Sequence, residues 1–218
     1  NHNKFKRKNI LQTKTPSVIA LSTASAASVT GLAFISPIIL LIKDHYDVSS
    51  NEVQLTITIY LMAICISQIF WGPLSDLIGR RIVLIIGATL FSLGGILASL
   101  NLAFEVFIFF RFLQGIGAAA CLSMPRVMLT ESYGVKKAAA KMSTLLAFMA
   151  IFPILSAAFG GYIGENYGWQ TNFFTLFIFG AIIFLLNYVY SPETIKNKNK
   201  RITFRTTFLD FRYLFGEI

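Results

Sequence analysis

Six long runs of apolar residues dominate this 218-residue chain, with short polar or charged segments between them. Each run has about 20 residues or more, the length that an α-helix needs to cross the roughly 30 Å hydrocarbon core of a bilayer. With 55% hydrophobic and 13% charged residues, a soluble core could not bury so much apolar surface. The pattern predicts an all-α membrane protein with six transmembrane helices, at about residues 16–42, 53–71, 81–101, 104–130, 142–163 and 170–190.

The basic residues lie at alternate ends of these runs. Of 19 Lys and Arg residues, 16 fall on one side of the predicted membrane and Lys43 on the other, while Arg111 and Arg126 lie within the fourth run. By the positive-inside rule the side with 16 is cytoplasmic, which puts both termini in the cytoplasm and the protein in the cytoplasmic (inner) membrane. A basic stripe on one face would indicate nucleic acid. The alternating pattern instead predicts the lipid bilayer as partner and no nucleic acid.

The histidines and cysteines do not indicate a metal or catalytic site. Cys65 and Cys121 lie within apolar runs, where cysteine behaves as a small hydrophobic residue. His2 and His45 lie outside the runs, without Cys or carboxylate at zinc-ligand spacing, and we expect both to be solvated. Since no Ser–His pair or paired carboxylates occur within the runs, the sequence predicts no metal, no cofactor and no enzyme active site.

Both ends of the chain are polar. Residues 1–15 form a basic segment, and residues 191–218 follow the last run. Within the latter, residues 202–218 place most apolar side chains on one helical face, which predicts an amphipathic helix at the cytoplasmic membrane surface. A disordered basic tail is the alternative. The predicted organisation is therefore a cytoplasmic segment over 1–15, a six-helix bundle over 16–190 and a cytoplasmic segment over 191–218.

The connector between the second and third runs contains Gly72, Asp76, Gly79, Arg80 and Arg81. Gly72 permits close approach of helix ends, Gly79 can adopt a positive φ in a tight turn, and Asp76 can pair with a cation or a helix N-terminus. The spacing resembles the signature loop of the major facilitator superfamily. The resemblance implies a gating loop that holds the two halves of a transporter together on the cytoplasmic side. An ordinary turn with an arginine pair that sets the topology is the alternative.

The fourth run contains Arg111, Gln114, Gly115 and Gly117. An arginine within an apolar run costs roughly 2.5–3.5 kcal/mol on insertion scales, so it usually faces a polar interior, and the glycines allow close helix contact. The pattern resembles the fourth-helix motif of proton-driven drug antiporters, which implies that Arg111 helps to move protons. An arginine that snorkels to the outer surface is the alternative.

Arg126 and Glu131 lie at the end of the same run. In the family, the acid at this helix end pairs with the basic residues of the signature loop, so we expect Glu131 to approach Arg80 or Arg81. A solvated pair that contributes ~0–1 kcal/mol is the alternative.

The fifth run contains Pro153, Gly160 and Gly161. The proline allows a kink, and the glycines allow close contact with another helix. The pattern resembles the fifth-helix motif of the drug antiporters, especially of the Bcr/CflA type, although Ala157 stands where a second proline is expected. A plain packing role is compatible with the same residues.

A short internal repeat accompanies these motifs. The segment 161–168 repeats the pattern of segment 72–79, after the fifth run rather than the second. Three helices followed by three similar helices on the opposite side is the 3+3 inverted-repeat plan of these transporters. The resemblance implies the N-terminal half of a 12-helix fold, as a fragment or as one half of a split protein.

The resemblances together imply efflux of a small hydrophobic compound in exchange for protons, with a second six-helix half as partner. A metabolite carrier of the same fold and a six-helix remnant without transport activity are the alternatives. Thr30, Tyr60 and Gln68 are the candidates for lining the central cavity. No acid lies deep within any run, so no proton carrier is identified. In a single half, we expect Arg111 and Gln114 to face lipid.

Overall fold

The computed structural model describes residues 15–195, and every regular element in that range is a helix. Most of the basic segment 1–15, with His2, and the predicted amphipathic helix over 202–218 lie outside the described residues. The helices are α1 (Val18–Ala33), a 3₁₀ helix (Ser36–Ile38), α2 (Ile39–Tyr46), α3 (Ser50–Ile78), α4 (Arg80–Ala98), α5 (Phe104–Tyr167) and α6 (Trp169–Tyr190).

Two helices begin with side-chain caps. Ser17 accepts a hydrogen bond from the amide of Ala20 at the start of α1. Ser49 and Glu52 form a reciprocal capping box at the start of α3, with the Ser49 amide donating to Glu52 Oε2 over 2.8 Å and the Glu52 amide donating to Ser49 Oγ over 3.2 Å. Such caps satisfy amides that have no partner within the helix.

Within residues 15–195, five helices are long and apolar enough to cross a membrane, when α1, the 3₁₀ helix and α2 are taken together. The fourth and fifth predicted runs lie in one of them, α5, which has 64 residues. As a straight rod it would be about 96 Å long, about three times the hydrocarbon thickness. However, Gly134 has non-helical angles, φ 70° and ψ 158°, which divides α5 into segments 104–133 and 135–167.

The contacts of α5 with α1 show that the chain doubles back at this glycine. Beside the break, the Tyr133 hydroxyl donates to the carbonyl oxygen of Pro16, just before α1 begins. Arg111 and Gly160, one on each side of the break, both contact the far end of α1 at residues 31–34. Each segment of α5 therefore runs along the length of α1, in opposite directions.

The first predicted run does not form one uninterrupted helix. It breaks after Ala33 at the 3₁₀ turn that contains Pro37, which has no backbone N–H to donate a hydrogen bond. Asn172 of α6 compensates, because its Nδ2 donates to the carbonyl oxygens of Phe34 over 3.2 Å and Gly160 over 2.8 Å. Proline thus bends the chain where the buried Asn172 amide donates to the carbonyl oxygen of Phe34.

The structure corrects the sequence-based boundaries, because α3 and α5 continue beyond the ends of the predicted runs. α3 continues through Pro73 to Ile78, and a single residue, Gly79, separates it from α4. Similarly, only Gly168 separates α5 from α6. Gly79 has φ +116° and Gly168 has φ +85°, so glycine makes both sharp reversals sterically acceptable.

Small residues set the closest helix contacts. A Cβ atom on Gly94 of α4 would lie 2.6 Å from Cβ of Gln114, and one on Gly115 of α5 would lie 2.6 Å from the backbone oxygen of Tyr60. Gly117 packs equally closely on the backbone of α4. Backbones approach this closely only where no side chain intervenes, as in the interfaces of membrane helices.

Candidate functional site

An ionic cluster lies at the end of the bundle where α1 and α4 begin and α6 ends, which we call the basic end. We define the cluster as Asp76, Arg80, Glu131 and Glu193. Arg80 is the first residue of α4, and the one-residue break at Gly79 holds it against the last turn of α3. Its guanidinium contacts Asp76 and Ser75, and its Nε lies 3.2 Å from Glu131 Oε1. The predicted approach of Glu131 to the arginine pair is therefore made through Arg80.

Glu193 joins this cluster and was not predicted from the sequence. Its Oε1 accepts the backbone N–H of Arg80 over 3.0 Å and that of Thr194 over 3.0 Å. The Thr194 hydroxyl in turn donates to Glu131 Oε2. A carboxylate at the first amide of α4 is favoured by the helix dipole. The one signal in the sequence is that Glu193 is the single acid of the polar segment 191–201.

Two other residues of the signature motif behave differently from Arg80. The Arg81 side chain points away from Glu131 and donates from Nη2 to the carbonyl oxygen of Tyr188 over 2.6 Å. Apart from its chain neighbours, a Cβ atom on Gly72 would meet no atom of residues 15–195 within 4 Å, so the predicted close approach at Gly72 is wrong. The reason is that α3 continues through Gly72, whereas the reversal of the chain occurs at Gly79.

Arg111 is fully buried within the bundle, so the alternative of snorkelling to the outer surface is wrong. Its guanidinium donates to the carbonyl oxygen of Gly31 over 3.3 Å, to that of Thr56 over 3.4 Å and to Gln114 Oε1 over 2.5 Å. The Tyr60 ring centroid lies 4.3 Å from Cζ. The charge is therefore stabilised by backbone and amide dipoles and by an aromatic face.

Because Arg111 and Gln114 are both fully buried, the expectation that a single half exposes them to lipid is also wrong. α1, α3 and α5 supply the polar groups around the guanidinium from within one bundle. No carboxylate among residues 15–195 forms an ion pair with Arg111. The guanidinium therefore has its hydrogen-bond acceptors within one bundle.

Two of the three cavity candidates lie in the packed interior. Thr30 is 2% exposed, and Tyr60 is fully buried with its hydroxyl donating to the carbonyl oxygen of Ser28 over 3.0 Å. Neither lines an open surface of this bundle, because helix packing covers both. Gln68 of α3 is exposed, so it keeps the accessibility that a cavity residue needs.

The remaining motif residues lie on both segments of α5. Gly160 is buried, with an added Cβ 2.9 Å from the backbone oxygen of Phe34, whereas one on Gly161 would lie 3.5 Å from Pro37. Pro153 is half-buried. Arg126 is exposed, and its Nη2 lies 3.6 Å from the sulfur of Met149 on the second segment. The structure thus gives Gly160 a clear packing contact against the bend after α1.

Cys121 is buried and Cys65 is exposed on α3. His45 is exposed at the end opposite the basic end, where its Nε2 lies 2.5 Å from Asn101 Oδ1 and its ring contacts Trp169. Among the residues that the structure describes, no three His, Cys, Asp or Glu side chains are grouped as metal ligands.

Sequence comparisons agree with this architecture. The chain matches the family model of the Major Facilitator Superfamily over residues 21–217. It is 26% identical to the Bicyclomycin resistance protein homolog of Haemophilus influenzae. This alignment of 183 residues covers 84% of this chain and 46% of the relative. It is 32% identical to Multidrug resistance protein MdtL of Escherichia coli. This alignment of 150 residues covers 68% of this chain and 38% of the relative. The chain thus spans less than half the length of these curated relatives.

Solved structures show the same fold. A D-xylose-proton symporter superposes with a TM-score of 0.71 over 90% of this chain and 52% of the symporter, at 17% identity. A bacterial homolog of the human lysosomal transporter Spinster gives 0.68 over 90% of this chain and 48% of its own, at 15% identity. Together with the apolar helices, these matches show that the chain is an integral membrane protein and belongs to the major facilitator superfamily.

Proposed function

We propose that this chain is one half of a transporter that exports small hydrophobic compounds in exchange for protons. The observation that carries the proposal is the contact of Arg80 with Asp76 and Glu131, which joins α3, α4 and α5 at the basic end. Ion pairs that remain partly exposed can be made and broken at small free-energy cost. A cluster of this kind can bias an equilibrium between inward-open and outward-open states. The names of the bicyclomycin and multidrug resistance relatives support drug export as the activity.

We also propose six membrane crossings in a 3+3 repeat. The reversal of the chain at Gly134 supports two crossings within α5, over residues 104–133 and 135–167. The matching positions Gly79 and Gly168 each form a one-residue, positive-φ break between long helices. The charge asymmetry of the sequence supports a cytoplasmic position for the basic end and for both termini.

A second six-helix half is the partner we propose. In this fold, transport is largely one bundle rocking against another around a site between them. The relatives are more than twice as long as the matched region, which leaves room for such a half. The second segment of α5 offers large exposed apolar side chains, including Ile154, Phe159 and Tyr162, as one surface that a second bundle could cover.

The buried polar site around Arg111 supports a part in proton movement within this half. The guanidinium is held by hydrogen bonds to Gly31, Thr56 and Gln114, with no carboxylate ion pair in the described residues. Any shift of α1 or α3 against α5 would therefore change the hydrogen bonds around this charge. We place the substrate at the open surface near Gln68 rather than at Thr30 or Tyr60, which are packed within the bundle.

Transport into inside-out vesicles tests the proposal. Vesicles from cells that produce this chain with a second six-helix half should accumulate a fluorescent hydrophobic cation when a proton gradient is imposed. A protonophore should abolish the uptake. Uptake that is insensitive to the gradient would contradict proton exchange and favour a carrier of another type.

The matched variants Asp76→Asn and Asp44→Asn test the role of the ionic cluster. Asp76 contacts Arg80, whereas Asp44 is exposed on α2 near the opposite end. We expect Asp76→Asn to lose most of the uptake at normal protein levels and Asp44→Asn to retain it. Wild-type uptake by Asp76→Asn would rule out the proposed gating role.

A further inference from the structure

Arg80 and Arg81 are adjacent in sequence, but their side chains have different surroundings. Arg80 belongs to the ionic cluster, whereas Arg81 lies against the last turn of α6. There its Nη2 donates to the carbonyl oxygen of Tyr188, and its Cζ lies 5.3 Å from the Tyr188 ring centroid. Arg81 Nε is buried and has no hydrogen-bond partner among residues 15–195. Since buried guanidinium N–H groups usually have an acceptor, Arg81 has donor capacity beyond its contact with α6.

A cavity of about 620 Å³ opens beside Arg81 at the basic end. It lies between the start of α1, the start of α4 and the end of α6. Thr15, Ser17 and Arg81 supply polar groups, and Val189 and Pro192 supply apolar surface. The volume is within the range of small-ligand sites, and the lining combines a cation and hydroxyls with a hydrophobic wall.

The charges around this cavity favour an anion. Among residues 15–195, the lining includes Arg81 and no acid, and the positive end of the α1 dipole begins directly after Ser17. The α6 carbonyl oxygens of Tyr188 and Tyr190 are engaged, the first by Arg81 and the second by the Ser17 amide over 3.1 Å. The nearby Glu193 accepts the backbone amides of Arg80 and Thr194 at Oε1.

We propose that this cavity binds the phosphate of an anionic phospholipid headgroup, with Arg81 as the paired cation and the hydroxyls of Thr15 and Ser17 as donors. The position at the ends of membrane helices favours a lipid over a soluble anion, because basic pockets between helix ends lie at headgroup depth. Tyr188 and Tyr190 mark the same depth, since tyrosine is enriched at the membrane interface. Val189 and Pro192 provide surface for the glycerol and first methylenes of the lipid.

Native mass spectrometry of the full purified chain in detergent tests this site. The probes are phosphatidylglycerol, diacylglycerol with the same acyl chains and inorganic phosphate. We expect retention of phosphatidylglycerol and not of diacylglycerol, and about fivefold weaker binding of phosphatidylglycerol to Arg81→Gln. The control Lys137→Gln, which removes an exposed charge elsewhere on the chain, should bind as the wild type does.

A second pair of variants leaves the Arg81 to Tyr188 hydrogen bond intact and so covers the case that Arg81→Gln does not fold. Thr15→Glu places a negative charge on the cavity wall and should weaken phosphatidylglycerol binding, whereas Thr15→Gln should not. Equal binding by Thr15→Glu and Thr15→Gln would overturn the site, as would equal retention of diacylglycerol and phosphatidylglycerol. Binding of inorganic phosphate without phosphatidylglycerol would show a soluble-anion site and contradict the lipid assignment.

Discussion

Arg80 at the start of α4 and Glu131 on the first segment of α5 lie 3.2 Å apart, measured from Nε to Oε1. The two side chains are 13% and 29% exposed, so water screens the pair only in part. The backbone of Arg80 also donates to Glu193, and Thr194 donates to Glu131. The ion pair therefore connects the junction of α3 and α4 with α5, and the two hydrogen bonds add the segment after α6.

Replacing Glu131 by Gln should cause a modest loss of stability. The amide removes the charge opposite Arg80 but keeps an oxygen that can accept from Thr194, so we expect a loss of about 1 kcal/mol. For a chain of this size that corresponds to a fall in Tm of about 2–4 °C, measured by tryptophan fluorescence in detergent. Glu105→Gln, at an exposed position in the first turn of α5, is the control. An equal shift in both variants would show that the pair contributes nothing specific.

Replacing Glu193 by Ala should loosen the junction between α3 and α4. The carboxylate accepts the first amide of α4 and packs directly against Gly79, so its loss leaves that amide without its acceptor. We expect faster hydrogen exchange in the peptide that contains Arg80, with little change in α6. Glu165→Ala, exposed near the end of α5, should leave exchange at Arg80 unchanged. If hydrogen exchange at Arg80 were unchanged in Glu193→Ala, Glu193 would not stabilise the start of α4, which would contradict its place in the ionic cluster.

The two motif glycines Gly115 and Gly72 should respond differently to an added methyl group. In Gly115→Ala the Cβ atom would lie 2.6 Å from the backbone oxygen of Tyr60 and 2.7 Å from Cβ of Ala63. Backbone cannot move aside as a flexible side chain can, so we expect a cost of about 1–3 kcal/mol. In Gly72→Ala the Cβ atom would meet no atom of the described residues within 4 Å apart from its chain neighbours. The gain in helix propensity is offset by the following Pro73, so we expect little change. Thermal unfolding of both variants measures the difference, and equal stability would contradict the packing.

Sequence patterns were most informative where one physical requirement dominates. Apolar length located the membrane helices, and the motif spacing placed Glu131 near the arginine pair. These patterns could not show how far each helix continues. Gly72 and Pro73 are typical loop residues, but α3 continues through them and the chain reverses at Gly79 alone. Glu193 was missed because its partner, the Arg80 amide, is 113 residues away in sequence. No local pattern encodes such a contact.

Side-chain direction was the other limit. Tyr60 and Thr30 are polar residues within apolar runs, which is compatible with either a cavity wall or a packed interior. Their burial depends on which face of α1 and α3 meets α5, and that is a property of the assembled bundle. Arg111 was correctly expected to face a polar interior. Its acceptors, however, include the backbone oxygens of Gly31 on α1 and Thr56 on α3. Residue types alone do not reveal such contacts.

The proposed pair of crossings within α5 leads to a prediction about the two surfaces of the membrane. If α5 contains two crossings, residues just after Gly134 lie at the basic end and residues near its C-terminus lie on the opposite surface. Val135 and Tyr167 suit the test, because they are 78% and 67% exposed. Single cysteines at these positions, in a chain with Cys65→Ser and Cys121→Ala, can be labelled with a membrane-impermeant maleimide.

We expect Val135→Cys to react only in inside-out vesicles and Tyr167→Cys only in right-side-out vesicles. The first result follows if the positive-inside rule puts the basic end in the cytoplasm. The second follows because segment 135–167 has 33 residues, more than the ~20 that cross the hydrocarbon. Labelling of both cysteines from one side would contradict two crossings within α5. If Val135→Cys reacted only in right-side-out vesicles and Tyr167→Cys only in inside-out vesicles, the two crossings would stand, because the labelled positions still lie on opposite surfaces. The orientation would be inverted, and the charge asymmetry would have predicted the wrong surface as cytoplasmic.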